Sequence, residues 1–295
     1  MSNYGYIERL LHNFYLSNNF IKKVSFDLEK SLFLEYNDNL ITKNHIFLTG
    51  MPRSGTTTLL NFLFKTEDFA SLKYSDMPLI LCPNIWNKFN FFFKETSRVE
   101  RNHGDNILFS SDSEEAFEEV FWKLFENYKE DEKYKEYVNY ILIILRKYNK
   151  VRYLSKNNLS YKRVKSLTKI FPNSTFIVPF RSPLLQSNSL LNQHERFYEM
   201  QQKDTFILKY MDFLGHNEFG IHYIPWNVSI KYQEFFDLNH WLEQWLLFYK
   251  EVLKLNSVKN LIFLSYEEIC NDPNLSKKLT EKLEVRFHAN FFKMS

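Results

Sequence analysis

Thr49-Gly50-Met51-Pro52-Arg53-Ser54-Gly55-Thr56-Thr57 is the stretch on which the fold turns. It follows the short apolar run His45–Thr49 (HIFLT) and precedes Thr57–Phe64 (TTLLNFLF), which has the spacing of an amphipathic helix. A short apolar run, a Gly/Pro/Ser cluster and a 3.6-residue period read as strand, loop and helix. Such a loop turns several backbone N–H groups, and the positive end of the helix dipole, toward one point. That point attracts an anion. The spacing of Gly50 and Gly55 equals that of the nucleoside-triphosphate loop, but the next position, where that loop needs a lysine, is Thr56. Arg53 instead puts a cation inside the loop, beside the hydroxyls of Ser54, Thr56 and Thr57.

Further apolar runs repeat the pattern along the chain. Thr175–Phe180 (TFIVPF) leads through Arg181-Ser182-Pro183 into a Leu- and Gln-rich segment over 184–200, with Pro183 suited to a first helical turn. Leu261–Ser265 (LIFLS) precedes Tyr266-Glu267-Glu268, and a weaker run, Val151–Ser155, precedes Lys156. Strands alternating with helices predict an α/β fold with a mostly parallel central sheet flanked by helices in three layers. Phe117, Val120, Phe121, Leu124 and Phe125 share one helical stripe, and Leu238, Trp241, Leu242 and Trp245 another. With 295 residues and no Gly/Ser linker or repeat, the chain reads as one domain over 1–295, with a helical insertion at about 110–150.

Composition narrows the function classes. The 38 basic and 35 acidic residues nearly cancel, so bulk electrostatics give no reason to expect nucleic-acid binding, and anion recognition must be local. Two isolated cysteines, Cys82 and Cys270, supply neither a disulfide framework nor a Cys-based zinc site, and they suit a reducing cytoplasm. The eight histidines lack zinc-ligand spacing, so no metal is expected. The first twenty residues lack the apolar core of a leader, and no run approaches the roughly 20 residues of a membrane span. The expected protein is soluble and cytoplasmic.

The string TGMPRSGTTTLL resembles the 5′-phosphosulfate loop of the sulfotransferase family, whose donor is 3′-phosphoadenosine 5′-phosphosulfate (PAPS). The resemblance runs from about Phe47 to Pro273 and includes Asp76-Met77-Pro78, His103-Gly104-Asp105, the segment 113–119, Lys156-Asn157-Asn158 and Tyr266-Glu267-Glu268; these look like a bacterial branch. It implies that Arg53, Ser54, Gly55, Thr56 and Thr57 hold the 5′ end of the donor. Arg181 at a strand end and Ser189 eight residues on match the family's 3′-phosphate pair, with Ser187 a near-duplicate. Lys156 matches the lysine that stabilises the departing phosphate.

Two departures accompany the match. Thr58 stands where many cytosolic members carry an adenine-stacking Trp, and no Gly-rich basic loop closes the C-terminus. Asn158 occupies the place of the cytosolic branch's catalytic histidine, and an amide takes no proton at neutral pH. Candidate bases are therefore Glu115, which also fits a capping box with Asp112, and His103, followed by Asp105, His194 and His216. The implied reaction is in-line sulfuryl transfer to a hydroxyl or amine of a small molecule, glycan or lipid. An atypical nucleotide-dependent kinase and a non-catalytic nucleotide-binding family member are the other readings. The aromatic segments 77–93 and 197–226 fit either an acceptor pocket or plain core, and the sequence is silent on oligomeric state.

Overall fold

Alternation along three short strands sets the architecture. Phe47, Tyr153, Phe176 and Val178 join one apolar cluster, whereas Ile46, Leu48, Leu154 and Ile177 join a second. Successive side chains of a strand point to opposite faces, so a strand apolar at every position must be covered on both sides. The computed structural model describes residues 5–89, 99–100, 108–109, 117–227 and 231–286, and it shows this sandwich.

Helices α1 (Tyr6–Ser17), α2 (Asn19–Phe33) and α3 (Asp38–Ile41) precede β1 (Ile46–Leu48). Then come α4 (Thr56–Phe64), β2 (Phe69–Ala70) and α5 (Pro83–Phe89). The short strands β3 (Val99–Glu100) and β4 (Leu108–Phe109) pair antiparallel, apart from the main sheet. After α6 (Glu118–Leu124) and α7 (Glu130–Tyr148) follow β5 (Arg152–Lys156), α8 (Val164–Ile170) and β6 (Thr175–Phe180). Helices α9 (Pro183–Lys203), α10 (Thr205–Leu214) and α11 (Leu238–Leu253) lead to β7 (Leu261–Ser265), and α12 (Tyr266–Asn271) and α13 (Pro273–Leu283) follow.

The main sheet runs β2-β5-β1-β6-β7, and every pairing in it is parallel. Leu59, Leu60, Phe62 and Leu63 of α4, with Ile269, Leu279 and Leu283 of α12 and α13, cover one face. The larger layer includes α6, α7, α9 and α11 and covers the other, where Phe47 stacks on Phe176 with ring centroids 5.0 Å apart. Parallel strands bring all their carboxyl ends to one edge, and ligands of open α/β sheets bind outside that edge. Register puts Leu48 beside Lys156 and Ile177, and Phe180 beside Ser265, so four strands deliver their following residues to a single place.

Some helical faces differ from the sequence reading. On α11 the buried positions are His240, Trp241, Gln244, Phe248, Tyr249 and Val252, while Leu242 and Trp245 are half-buried. Polar His240 and Gln244 go inside because each is satisfied there: His240 Nε2 meets Tyr223 Oη at 2.8 Å, and Gln244 bonds both main-chain groups of Asn227 at 3.2 Å. Met77, Ile80, Leu81, Phe197, Phe219, Tyr223 and Trp226 of the two aromatic segments are buried, whereas Phe89, Ile221 and Ile224 are exposed. Among the described residues no helix is long and apolar enough to cross a membrane.

The loop after β1 owes its shape to two left-handed residues, Arg53 at φ 66° and Gly55 at φ 95°. Gly55 also lies against a ring: a Cβ there would stand 2.2 Å from Tyr266 Cδ2. Gly55→Ala therefore combines a left-handed penalty of about 1–2 kcal/mol with a steric clash. The variant should unfold several degrees below the parent, and Tyr266→Ala in the same chain should recover part of the loss. Equal melting temperatures for parent and Gly55→Ala would contradict this packing.

A second prediction concerns acid. Buried His45 immediately precedes the central strand, and its Nδ1 accepts the Tyr153 N–H at 2.9 Å. Burial, aided by the Arg152 charge, lowers it from 6.5 to about 4. The unfolded chain takes up this proton below about 6.5 and the folded chain only near 4, so the contribution of neutral His45 is present above 6.5 and lost on acidification. That loss is of order 3 kcal/mol between the two values. In urea titrations at pH 7, 5.5 and 4, His45→Asn should show a shallower fall in stability than the parent; identical slopes would contradict it.

Candidate active site

The loop's backbone makes the first part of the site. Helix α4 has Gly55 as its N-cap with no side-chain cap, and its first i→i−4 bond is Leu59 N–H to the Gly55 carbonyl. The amides of Thr56, Thr57 and Thr58 therefore have no acceptor within the helix and project from its positive end. Arg53 and Gly55 in the left-handed region curve the preceding amides around the same point, as an anion nest requires.

A buried amide fastens this loop to the helical layer. Gln186 of α9 is fully buried; its Nε2 donates to the Pro52 carbonyl at 2.9 Å, and its Oε1 accepts from Trp245 Nε1 at 3.0 Å and Tyr249 Oη at 3.4 Å. Tyr249 Oη also donates to the Pro179 carbonyl at 3.1 Å, and burial raises its phenol well above the ordinary range. The sequence reading missed Gln186. Its signal was present: Gln186, Leu190, Gln193 and Phe197 lie on the buried stripe of α9, and a Gln on such a stripe needs a partner.

Two contacts bring distant candidates together. Lys156 at the end of β5 donates from Nζ to Thr57 Oγ1 at 3.0 Å. Arg53 donates from Nε to Ser189 Oγ at 2.8 Å, joining the loop to α9 across 136 residues of sequence. Ser189, expected to share an anion with Arg181, is thus shared with the loop. Ser187 is fully buried, whereas Ser189 is half-buried.

Arg181 leaves the end of β6 half-exposed, with its guanidinium carbon 5.7 Å from the Tyr266 ring centre and its Nε 3.7 Å from Glu267 Oε1. The same Glu267 oxygen accepts the Ser182 N–H at 2.9 Å at the start of α9. Tyr266 and Glu267, quoted above without roles, therefore meet the Gly55 turn and the Arg181 turn respectively.

The residues after Lys156 face a different set. Asn157 Nδ2 donates to Glu119 Oε2 at 2.8 Å, and Arg163 forks onto both oxygens of Glu119 at 2.8 and 3.1 Å. Asn158 Nδ2 donates to Glu218 Oε1 at 3.2 Å, and Glu218 Oε2 lies 3.5 Å from His216 Nδ1. Burial by itself would push the Glu218 carboxyl up, but His216 and the Asn158 amide hold it below the ordinary carboxylate range. His194 sits in an aromatic nest away from this set and is lowered to about 4 by burial and by His240. His103, Asp105, Asp112 and Glu115 lie outside the described residues. Chemically, the assembled edge offers backbone amides, hydroxyls, two guanidiniums and one ammonium around the exit of the central strands, which suits an anion with more than one charged group.

Comparisons with known proteins bear on the fold and the family. By structure, the chain is similar to the sulfotransferase STF1 from Mycobacterium tuberculosis, with a TM-score of 0.55 and 11% identity over 95% of this chain and 78% of that one. The sulfotransferase STF9 from Mycobacterium avium aligns with a TM-score of 0.49 and 12% identity, over 94% of this chain and 73% of that one. A comparison with curated protein sequences finds no match. The family model described as "Sulfotransferase family" matches residues 45–288, from the first residue before β1 to beyond α13, and the chain belongs to the sulfotransferase family.

Proposed function

We propose that this sulfotransferase takes its sulfuryl group from PAPS and passes it to a hydroxyl or amine of a small-molecule, glycan or lipid acceptor, in the cytoplasm and without a metal. The observation that supports the donor assignment is that the Arg53 turn follows the central strand β1, with the Arg181 turn after β6 on one side of it and Lys156 at the end of β5 on the other. A nucleotide with charged groups at both its 3′ and 5′ positions fits two such turns.

In this reading the amides of Thr56 and Thr57 and the hydroxyls of Ser54, Thr56 and Thr57 take the 5′-phosphate, while Arg53 bridges it to the sulfuryl group. Arg181 and Ser189 take the 3′-phosphate. The acceptor oxygen or nitrogen attacks sulfur in line, the sulfur–oxygen bond to the 5′-phosphate breaks, and charge builds on the departing oxygen. Lys156, next to Thr57, meets that charge. Positioning and charge stabilisation supply most of the acceleration in such loose transfers. Glu267 lies beside the Arg181 turn, and an anion at Arg181 would compete with it for the guanidinium.

The nucleotide product, 3′-phosphoadenosine 5′-phosphate, should raise the melting temperature without Mg²⁺, because a ligand that binds only the folded chain stabilises it. Arg53→Ala and Arg181→Ala should each abolish this rise while folding like the parent by circular dichroism. An undiminished rise in both variants, or a rise with Mg²⁺ and ATP in place of the 3′,5′-bisphosphate, would overturn the donor assignment.

A further inference from the structure

Helices α1 and α2 precede the family-matched residues 45–288, and both present an apolar stripe to water. On α2, Phe20, Val24, Leu28 and Leu32 recur at every fourth position and are 75, 49, 50 and 58% exposed. A helix resting on a core normally turns polar residues to that side. Helix α1 repeats the feature through Ile7, Leu10 and Phe14, and Tyr6 and Tyr36 stand exposed at the two ends of the segment. Phe14 and Phe20 flank Asn18, the single residue that joins the helices.

The α2 ridge is not free to turn inward. On the opposite side of the helix Lys22, Phe26 and Glu29 are buried. The Glu29 carboxylate accepts the Asn84 N–H at 2.7 Å, Asn84 Nδ2 at 2.8 Å and the Ile85 N–H at 3.0 Å. Lys30 donates to both oxygens of Glu136 on α7 at 2.7 Å. A buried carboxylate is tolerated only where such bonds compensate its lost hydration, so rotating α2 to hide Phe20 and Leu28 would leave a charge unpaired. Tyr15 Oη, 2.9 Å from Ser25 Oγ, holds α1 against the same helix.

The extent of the apolar surface matches a protein interface. The rings of Tyr6, Phe14, Phe20 and Tyr36, each 63–78% exposed, present on the order of 500 Å². With Ile7, Leu10, Val24, Leu28 and Leu32 the two helices offer roughly 900 Å², above the largest patch of a typical monomer and about what each side of a stable interface contributes.

Charge and shape decide which partner fits. From Tyr6 to Tyr36, Arg9, Lys22, Lys23 and Lys30 balance Glu8, Asp27, Glu29 and Glu35. Lys23 pairs with Asp27 at 2.6 Å, Arg9 with Asp204 at 3.0 Å and Arg146 with Glu35. A helix that lies on an anionic membrane carries an excess of lysine and arginine, which this segment lacks. A neutral apolar ridge fits another of its own kind. Side chains four apart form one ridge, and such ridges interlock with those of a like helix at a crossing of about 50°, the commonest packing class.

We propose that this face is the contact between two copies of the chain, with α2 packed on α2 about a two-fold axis and α1 flanking it. Val24 and Leu28 of each copy stand nearest the axis, with Phe20 and Leu32 outside them. The same patch serves both copies, as a two-fold interface requires. The proposal does not depend on the donor assignment.

Sedimentation equilibrium of the full chain should give twice the chain mass, with monomer appearing on dilution. Leu28→Glu sets two carboxylates against each other near the axis and should weaken association by about 30-fold or more, the effect of losing a central contact. Leu253→Glu, at a 55% exposed apolar position on α11, should leave the dimer intact. Both variants should keep the circular dichroism of the parent, since neither side chain is buried. A parent that stays monomeric up to its solubility limit, as it would if its own chain covered the ridge, would overturn the proposal. So would a monomer that co-sediments with phosphatidylcholine–phosphatidylserine vesicles, a dimer unmoved by Leu28→Glu, or one weakened equally by Leu253→Glu.

Discussion

The site depends on a buried amide. Gln186 ties the Pro52 carbonyl of the phosphate loop to Trp245 and Tyr249 of α11, and Tyr249 continues to the Pro179 carbonyl on the neighbouring strand. A loop with two left-handed residues stores strain, and such conformations persist only where surrounding contacts over-determine them. Here the contacts come from both sides, with Gln186 on the helical-layer side and the Tyr266 ring against Gly55. An unpaired amide at this depth would cost about 1–3 kcal/mol, so the bonds are selective: few other arrangements of loop, α9 and α11 satisfy Gln186.

From that anchoring the rest follows in order. A rigid loop aims the α4 amides outward, parallel strands bring Lys156 and Arg181 to the same edge, and α9 supplies Ser189 to Arg53. Two of the cations meet neutral hydroxyls, Lys156 at Thr57 and Arg53 at Ser189. Arg181 faces the carboxylate of Glu267, and at 3.7 Å with both side chains partly exposed that pair is weak.

Much of this was legible in the sequence where the signal is local. The runs HIFLT, TFIVPF and LIFLS became β1, β6 and β7, and the glycine spacing with the apolar period after it gave the loop and α4. Arg53, Arg181 and Lys156 follow strands directly, so the topology alone brings them to one edge. The stripe of α11 was misread because Trp245 turns its N–H to Gln186 while His240 and Gln244 find internal partners, and no local period encodes a partner from another element. The Arg53–Ser189 contact, across 136 residues of sequence, is likewise one that no local period encodes. Glu218 carried no sequence signal, since its meaning arises only when α10 ends against α6 and delivers it to Asn158, 60 residues earlier in the chain.

An edge with two separate cationic turns should hold a nucleotide by two separate phosphates. Isothermal titration with 3′-phosphoadenosine 5′-phosphate, with 5′-AMP and with Mg²⁺–ATP tests it most directly. The account predicts binding of the bisphosphate, affinity for 5′-AMP lower by about 10- to 100-fold because charge-assisted bonds at the 3′ turn are missing, and no measurable heat from Mg²⁺–ATP. Equal affinity for the bisphosphate and 5′-AMP would contradict it.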